Sequence, residues 1–196
     1  MTEEKTTTEV KPITYPARPH NGGPLDKAFK KSGGWCWEPK VNGWRTLIHV
    51  PTGTMFNRHG GKLSIAHEYT EAIKELQQAH SHIEWLDCEA LGRRHDINRG
   101  ALMILDAVLP GTFRERKEVL VKADEKYDSH KCYLIELGEG NGYANNRWKF
   151  LQEENKRLGC DYYEGLVAKQ EDSLYPIQLA SPKKEFSFWV KHRWAY

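Results

Sequence analysis

The chain has 196 residues, 39% of them hydrophobic, and a formal net charge of +2. This length and composition suit one domain with a real core, and so small a net charge does not by itself indicate a nucleic-acid-binding protein. No apolar stretch approaches the roughly 20 residues of a membrane-spanning helix, and the charged, threonine-rich N-terminus lacks the apolar core of a secretory signal. We therefore expect a cytoplasmic protein without a membrane partner, with a flexible lead-in over residues 1–23 and one domain over residues 24–196.

Strand-like segments dominate the chain, with helical segments between them. The predicted elements, in chain order, are a helix at 24–31, strands at 35–38, 44–50 and 54–57, a helix at 67–79, strands at 83–91 and 102–109, a helix at 113–123, a strand at 133–137, a helix at 144–158, and strands at 165–169 and 188–192. This order predicts an α+β fold with antiparallel sheets rather than repeated βαβ units. Neither GxxxxGK[ST] nor GxGxxG occurs, so a nucleotide enzyme would need another way to hold phosphate.

The dipeptide Asn42-Gly43 is a strong local turn signal. It lies between apolar residues, Trp37 before it and Trp44 after it, and both of its residues accept positive φ. On these residues alone, the pattern predicts a β-hairpin and assigns no chemistry to the neighbouring Lys40.

The cysteines and histidines show no metal-binding spacing. The four cysteines, Cys36, Cys88, Cys132 and Cys160, include no CxxC pair, so we expect reduced, mostly buried thiols. The nine histidines form no HExxH pattern, which argues against a zinc site.

Short motifs in a fixed order carry the strongest functional signal. They are EPKVNGWR from residue 38, FNRHGGKL from 56, WLDCEALG from 85, MILDAVL from 103 with FRERKEVL from 113, YEGLVAKQ from 163 and FWVKHRW from 188. Over roughly residues 35–193, the set resembles motifs I, III, IIIa, IV and V of the covalent nucleotidyltransferases, the group of ATP-dependent DNA ligases, RNA ligases and mRNA capping enzymes. Glu-Pro-Lys, Gly-Trp-Arg and the next Arg-x-Gly stretch are most similar to ATP-dependent DNA ligases. The resemblance implies an ATP-grasp-like domain of two antiparallel β-sheets flanked by helices.

The resemblance also implies a reaction in which Lys40 is the nucleophile. Its amine would attack the α-phosphate of ATP, and the resulting lysyl-AMP would pass its AMP to the 5′-phosphate of nicked duplex DNA, which the 3′-hydroxyl then seals. An amine must lose its proton to attack, and neighbouring cations favour the neutral form. We expect Lys169, Lys191, Arg45 and a bound metal to supply that positive field.

By the same resemblance, eight residues would bind the nucleotide. Lys169 and Lys191 would contact the α-phosphate, and Arg45 and Glu89 would hold the ribose. Glu38 and its neighbouring backbone would meet the adenine edge. The full set is Glu38, Arg45, Glu89, Leu105, Val167, Lys169, Lys191 and Arg193.

A metal and the nucleic acid would engage three residues. Glu164, with Glu89, would bind Mg²⁺ or Mn²⁺, because a carboxylate beside phosphates normally implies a divalent cation between them. Arg58 would bind the 5′-phosphate of the nick through a bidentate guanidinium contact. Asp106 lies in an apolar run, so we expect a structural role and a buried partner; Asp87 and Arg116 are also assigned structural or supporting roles.

The sequence departs from the family pattern at several positions. Asn42 replaces the usual aspartate, Cys88 a common glycine, Leu105 an adenine-stacking aromatic and Arg193 the usual final lysine. DNA ligases normally continue into an OB-fold domain, whereas this sequence stops at Tyr196. We therefore expect a catalytic domain without an OB-fold domain, whose first step is slow or relies on a partner protein for that function.

Two alternative functions stay open on the sequence. One is an RNA ligase or capping-type enzyme of the same superfamily. The other is a non-catalytic relative that binds nucleic acid or nucleotide; the retained Lys40, Glu89, Glu164, Lys169 and Lys191 argue against it.

Overall fold

Two five-stranded β-sheets and three α-helices make up the part of the chain that the computed structural model describes, residues 9–13, 18–25, 33–176 and 185–194. The strands, in chain order, are β1 (Pro19–Asn21), β2 (Trp35–Val41), β3 (Trp44–His49), β4 (Thr54–Asn57), β5 (Trp85–Ala90), β6 (Leu102–Ala107), β7 (Cys132–Leu134), β8 (Gly138–Glu139), β9 (Tyr163–Gln170) and β10 (Phe186–Arg193). The helices are α1 (Thr70–Ala79), α2 (Phe113–Asp124) and α3 (Gly140–Leu158), and a 3-10 helix at Ser64–Tyr69 precedes α1. None of these helices is both long and apolar enough to cross a lipid bilayer.

The first sheet has the strand order β1-β10-β9-β2-β8 and the second the order β4-β3-β5-β6-β7. Most neighbours are antiparallel, as predicted, and the predicted α+β fold of two sheets flanked by helices is confirmed. Each sheet also contains one parallel edge pair, β1 with β10 and β6 with β7, which the sequence did not predict. The second pair is parallel because α2 carries the chain back across the sheet between β6 and β7. The described residues contain no separate OB-fold domain.

Each sheet packs one face against helices. On the first sheet, Trp37 and Leu166 pack with Leu151 of α3. On the second, Ile48 and other strand residues pack with Leu76 of α1 and Leu120 of α2. Because side chains alternate across a strand, the remaining face of each sheet is available to line the space between them.

The predicted β-hairpin at Asn42-Gly43 is wrong. β2 pairs with β8 and β9, whereas β3 pairs with β4 and β5 in the other sheet. Neither residue has positive φ, so the dipeptide is a link between sheets rather than a tight turn. This link places the end of β2 and the start of β3 on opposite walls of one cleft.

Local sequence explains the helix ends. Thr112 and Glu115 form a capping box that starts α2, each side chain bonding the other residue's backbone N–H. α3 begins four residues before its predicted start at 144 and ends at Gly159, whose φ of 68° suits a glycine. The strand predicted at 133–137 ends at Leu134 instead, and the next strand, β8, joins the first sheet.

The N-terminal segment contributes a strand. Pro19–Asn21 form β1, which lies along β10, and Val10 and Ile13 pack against the second sheet's Leu47, Phe56 and Trp85. The boundary predicted at residue 23 stays a prediction, although these parts of the predicted lead-in contact the domain. Most of the helix predicted at 24–31 lies outside the described residues.

Candidate active site

A cleft of about 570 Å³ lies between the two sheets. All eleven residues that the sequence assigns to a site line it. They are Glu38, Lys40, Arg45, Arg58, Glu89, Leu105, Glu164, Val167, Lys169, Lys191 and Arg193. The structure therefore brings the whole set together from both sheets, while the role of each residue stays a prediction.

Lys40 lies near the end of β2, opposite Gly165 of β9. Its ammonium forms an ion pair with the Glu164 carboxylate, and the Arg193 guanidinium is 3.0 Å from the same oxygen. The Lys40 side chain is only 20% exposed. The amine is thus held inside the cleft, on a carboxylate oxygen that it shares with a second cation.

Gly165 allows β9 and β10 to approach closely beside Lys40. Its φ is 145°, and a Cβ there would lie 1.9 Å from the His192 carbonyl oxygen. This explains the Glu-Gly pair of the YEGLVAKQ motif. Gly165 leaves space for the backbone of β10, and Glu164 forms the ion pair with Lys40.

Gly43 brings the two sheets into direct contact. Its backbone N–H donates to Glu89 Oε1 over 3.0 Å, and a Cβ at this position would lie 2.6 Å from the Ala90 carbonyl oxygen. The neighbouring Asn42 donates its side-chain amide to the Asp161 carbonyl oxygen over 2.9 Å. In this structure, Asn42 thus anchors the loop before β9.

Glu89 has a strongly perturbed carboxyl group. Burial raises its pKa from 4.5 to about 7, because Lys40, Arg45 and the Gly43 N–H offset the desolvation only in part, and Glu164 adds to the rise. A carboxyl that takes up a proton near neutral pH is characteristic of functional sites.

The pH dependence of stability should report this shift. Between pH 4.5 and about 7, unfolded Glu89 is ionised while folded Glu89 still holds its proton, so stability should fall as the pH rises through this range. A Glu89→Gln variant keeps the acceptor for Gly43 and cannot titrate. Urea unfolding of both proteins without nucleotide or metal, from pH 4.5 to 8, should show a smaller fall for the variant; parallel curves would contradict the assignment.

A buried charge cluster adjoins the cleft. Glu38 lies 2.8 Å from the Lys169 ammonium and 3.2 Å from that of Lys117, and all three are buried. Lys169 also donates to the Leu105 carbonyl oxygen over 3.2 Å, and its ammonium lies 4.2 Å from the centre of the Trp189 ring. Lys169 is therefore fully engaged by protein groups in this state.

Lys117 contacts the cleft residue Glu38, a contact that the sequence did not predict. It projects from α2, donates to the Ile135 carbonyl oxygen over 2.8 Å and contacts Glu38. Burial lowers the pKa of Lys117, against the raising effect of Glu38. Its helical spacing from Phe113 and Leu120, both buried, could have identified it as inward-facing.

Arg45 is held rigidly on the second sheet. Its guanidinium makes two contacts to the Asp87 carboxylate, one of them 2.8 Å between Nε and Oδ1. Tyr175 donates its hydroxyl to Asp87 Oδ2 over 2.7 Å, a contact that the sequence did not predict. Asp87 thus has the supporting role expected of it, orienting Arg45 toward the cleft.

Lys191 lies where β10 meets the N-terminal strand. It donates to the Pro19 carbonyl oxygen over 3.2 Å and lies 3.9 Å from Glu185. Burial lowers the pKa of Lys191; Glu185 opposes this effect, and Arg193 and Lys40 reinforce it. Crowded cations of this kind are stabilised by a bound anion.

Oxygen ligands for a divalent cation are present in the cleft. Glu89 and Glu164 extend from different sheets into the cleft, and Glu164 contributes to the raised pKa of Glu89. Two carboxylates are hard ligands of the type that Mg²⁺ and Mn²⁺ take, usually with water and phosphate completing the coordination. The donor set therefore fits such an ion.

The chain shares its fold with polynucleotide ligases. No protein-family model matches the sequence, and no curated protein matches it closely. Among solved structures, it is similar to the ligase domain of M. tuberculosis LigD, with a TM-score of 0.65 and 20% identity over 95% of this chain and 61% of that one. The chain has the fold of a DNA ligase nucleotidyltransferase domain.

Two further structures extend this similarity. Chlorella virus DNA ligase-adenylate has a TM-score of 0.55 and 12% identity, over 82% of this chain and 62% of that one. An archaeal ATP-dependent RNA ligase has a TM-score of 0.55 and 15% identity, over 92% of this chain and 48% of that one. The chain spans about three fifths, or less, of the length of these three ligases. At such low identity, the comparison establishes the nucleotidyltransferase fold rather than the substrate.

Proposed function

We propose that this chain is the catalytic domain of an ATP-dependent DNA ligase, with Lys40 as the residue that carries AMP. One observation supports the proposal above all others. Lys40 lies inside the cleft between the sheets, in contact with Glu164 and with Arg193 on the same carboxylate. A lysine that serves only as a surface charge is normally exposed to solvent, whereas the Lys40 side chain is largely enclosed by the cleft.

The proposed first step is attack by the neutral Lys40 amine on the α-phosphorus of ATP. A nitrogen–phosphorus bond forms as the bond from the α-phosphorus to the bridging oxygen breaks, and pyrophosphate leaves. The nitrogen loses two protons overall. The Glu164 carboxylate, which contacts the ammonium, is positioned to accept the first, and the second passes to the departing pyrophosphate. Lys191 and Arg193 would neutralise the developing phosphate charge, which is the main requirement of phosphoryl transfer.

The remaining residues would hold the nucleotide. Glu38, which Lys169 and Lys117 fix in position, would accept a hydrogen bond from the adenine amino group. Leu105 and Val167 would give the base an apolar contact, and the rigid Arg45 with Glu89 would meet the ribose. When bound beside Glu89 and Glu164, Mg²⁺ or Mn²⁺ would neutralise phosphate charge.

The later steps require a polynucleotide. AMP would pass from Lys40 to the 5′-phosphate at a nick, and the adjacent 3′-hydroxyl would displace it to form the phosphodiester. Arg58, exposed at the turn that follows β4, would bind that 5′-phosphate. An RNA ligase is the second candidate, since one of the similar structures is an archaeal RNA ligase.

Incubation with α-labelled ATP and Mg²⁺, followed by peptide mass spectrometry, tests the proposal. We expect one covalent AMP on the peptide that contains Lys40. When a nicked substrate is added, this AMP should pass to the 5′-phosphate and then be released as the nick is sealed. Nicked duplexes with DNA or RNA strands at the junction separate the two ligase candidates by sealing rate. Absence of any AMP adduct, or its location on another residue, would overturn the proposal.

A further inference from the structure

The arginines divide into two groups by their partners. The sequence contains eleven arginines, all among the described residues. Nine of them have a carboxylate oxygen within 4 Å: Arg18, Arg45, Arg93, Arg99, Arg114, Arg116, Arg147, Arg157 and Arg193. Arg58 and Arg94 have no ion pair with any carboxylate of the described residues, and both line the candidate active site. The two arginines that lack an acidic partner are therefore both at the cleft.

Strand register places these two arginines at the same end of the second sheet. Thr46 of β3 pairs with Asn57, the last residue of β4, and Trp44 pairs with Ala90, the last residue of β5. The turn that carries Arg58 and the loop that carries Arg94 therefore leave the sheet on either side of the start of β3. Both side chains belong to exposed residues.

The backbone around both arginines is ordered by hydrogen bonds. The Asn57 side chain accepts from the N–H groups of His59 (2.8 Å) and Gly61 (3.1 Å). In the loop after β5, Asn98 donates to the Tyr162 hydroxyl over 3.0 Å. Binding by pre-ordered loops costs less conformational entropy than binding by loose ones.

An aromatic residue, Trp44, begins β3, the strand that lies between β4 and β5. Trp44, at the start of β3, is 37% exposed and lines the cleft. The Arg93 guanidinium covers one face of its ring, 4.6 Å from the centre, and is itself fixed 2.8 Å from Glu68. Around this fixed aromatic surface, Arg58 and Arg94 therefore present two positive charges that form no ion pair with a carboxylate of the described residues.

We propose that Arg94 is a second residue that binds the phosphate backbone of the polynucleotide, acting with Arg58 on the other side of Trp44. This inference rests on the proposed function, because it needs a polynucleotide substrate. A guanidinium matches a phosphate in a bidentate geometry, and two arginines on separate loops suit successive phosphates of one strand better than a single nucleotide. Since the contacts are to phosphate, they would add affinity without reading base sequence.

Salt-dependent binding of a fluorescent nicked DNA duplex tests the proposal. Each phosphate contact contributes about one counterion to the slope of log Kd against log salt. We expect Arg94→Ala to weaken binding several-fold and to reduce this slope by about one, and Arg94→Lys to restore part of both. Arg157→Ala is the matched control: Arg157 is exposed on α3, pairs with Glu154 and should leave binding unchanged.

Each outcome of this experiment decides for or against the inference. An unchanged affinity and salt slope for Arg94→Ala would overturn the inference. An equal loss of affinity in Arg157→Ala would also overturn it, because it would show that binding depends only on the overall charge of the protein. Failure of the wild-type protein to bind the duplex would overturn it too. Because AMP labelling of Lys40 needs no polynucleotide, the proposed first step can succeed or fail independently. Matching thermal unfolding curves for the four proteins would confirm that all of them fold.

Discussion

Replacement of Lys40 by alanine is expected to abolish self-adenylation. The side chain supplies the only amine that contacts Glu164 among the described residues, and loss of a catalytic nucleophile typically lowers the rate at least about a thousandfold. Gel assay of label transferred from α-labelled ATP, together with intact mass, measures the effect. Lys40→Arg should be equally inactive, since a guanidinium keeps the positive charge beside Glu164 and stays protonated.

An exposed lysine provides the control for this comparison. Lys74 lies on α1, on the outer side of the second sheet, and is not among the residues that line the cleft. Lys74→Ala should be labelled as strongly as the wild-type protein. Retained labelling in Lys40→Ala would mean that another residue carries AMP, and labelling in Lys40→Arg would show that charge rather than nucleophilicity is required.

Replacement of Arg116 by alanine should cause the largest loss of stability. Arg116 is fully buried and contacts both oxygens of Asp106 at 2.9 and 3.0 Å, which confirms the buried partner expected for this aspartate. It also donates to the carbonyl oxygens of Gly111 and Ser173. Removing one member of a buried ion pair costs about 3–5 kcal/mol, because the other charge stays buried without its partner. Urea unfolding at neutral pH measures this loss.

Arg114 is the matched control, because it lies on the same helix at an exposed position. It pairs with Glu139 and Glu171 on the surface, and exposed pairs contribute less than about 1 kcal/mol. Arg114→Ala should therefore unfold nearly as the wild-type protein does. Equal losses in the two variants would indicate that α2 is sensitive to any loss of charge, rather than to the Asp106 pair.

The motifs predicted a set of residues that line one cleft, but not how those residues pair with one another. Glu38, Lys169 and Arg193 come from distant parts of the sequence, yet resemblance alone indicated that they meet, and all line one cleft. Resemblance to a family predicts which residues lie close together even when the fold has not been predicted from the sequence. It could not indicate that Lys169 and Glu38 are paired and buried in this state, since that contact depends on the antiparallel pairing of β9 with β2.

The hairpin prediction failed because a turn signal is local and strand pairing is not. Asn42-Gly43 matches the sequence pattern of a β-hairpin turn, but the two flanking strands bury their apolar side chains in different cores, each packed against helices. Trp37 of β2 lies in the core formed with α3, and Ile48 of β3 lies in the core formed with α1 and α2. Likewise, β1 pairs with a strand about 170 residues later, and no local pattern reports a contact at that separation.

Lys117 was missed for a different reason. A lysine in a run of charged residues, as in FRERKEVL, suggests a solvent-facing helix surface. The buried face of α2 instead includes Phe113, Arg116, Lys117 and Leu120, at the spacing of one helical stripe. Cations on such a stripe are buried only when carboxylates pair with them. Here Glu38 of the first sheet pairs with Lys117, and Asp106 of the second sheet pairs with Arg116.

The link between the sheets has a mechanical consequence. Lys40 and Arg45 lie on opposite walls of the cleft, yet they are only five positions apart along the chain. A fully stretched chain covers at most about 3.6 Å per residue, so the Cα atoms of this pair cannot move more than roughly 18 Å apart. The covalent backbone thus limits how far the two walls of the cleft can separate near Lys40. Any wider opening of the cleft that lets small molecules enter or leave must involve the strands farther from this link.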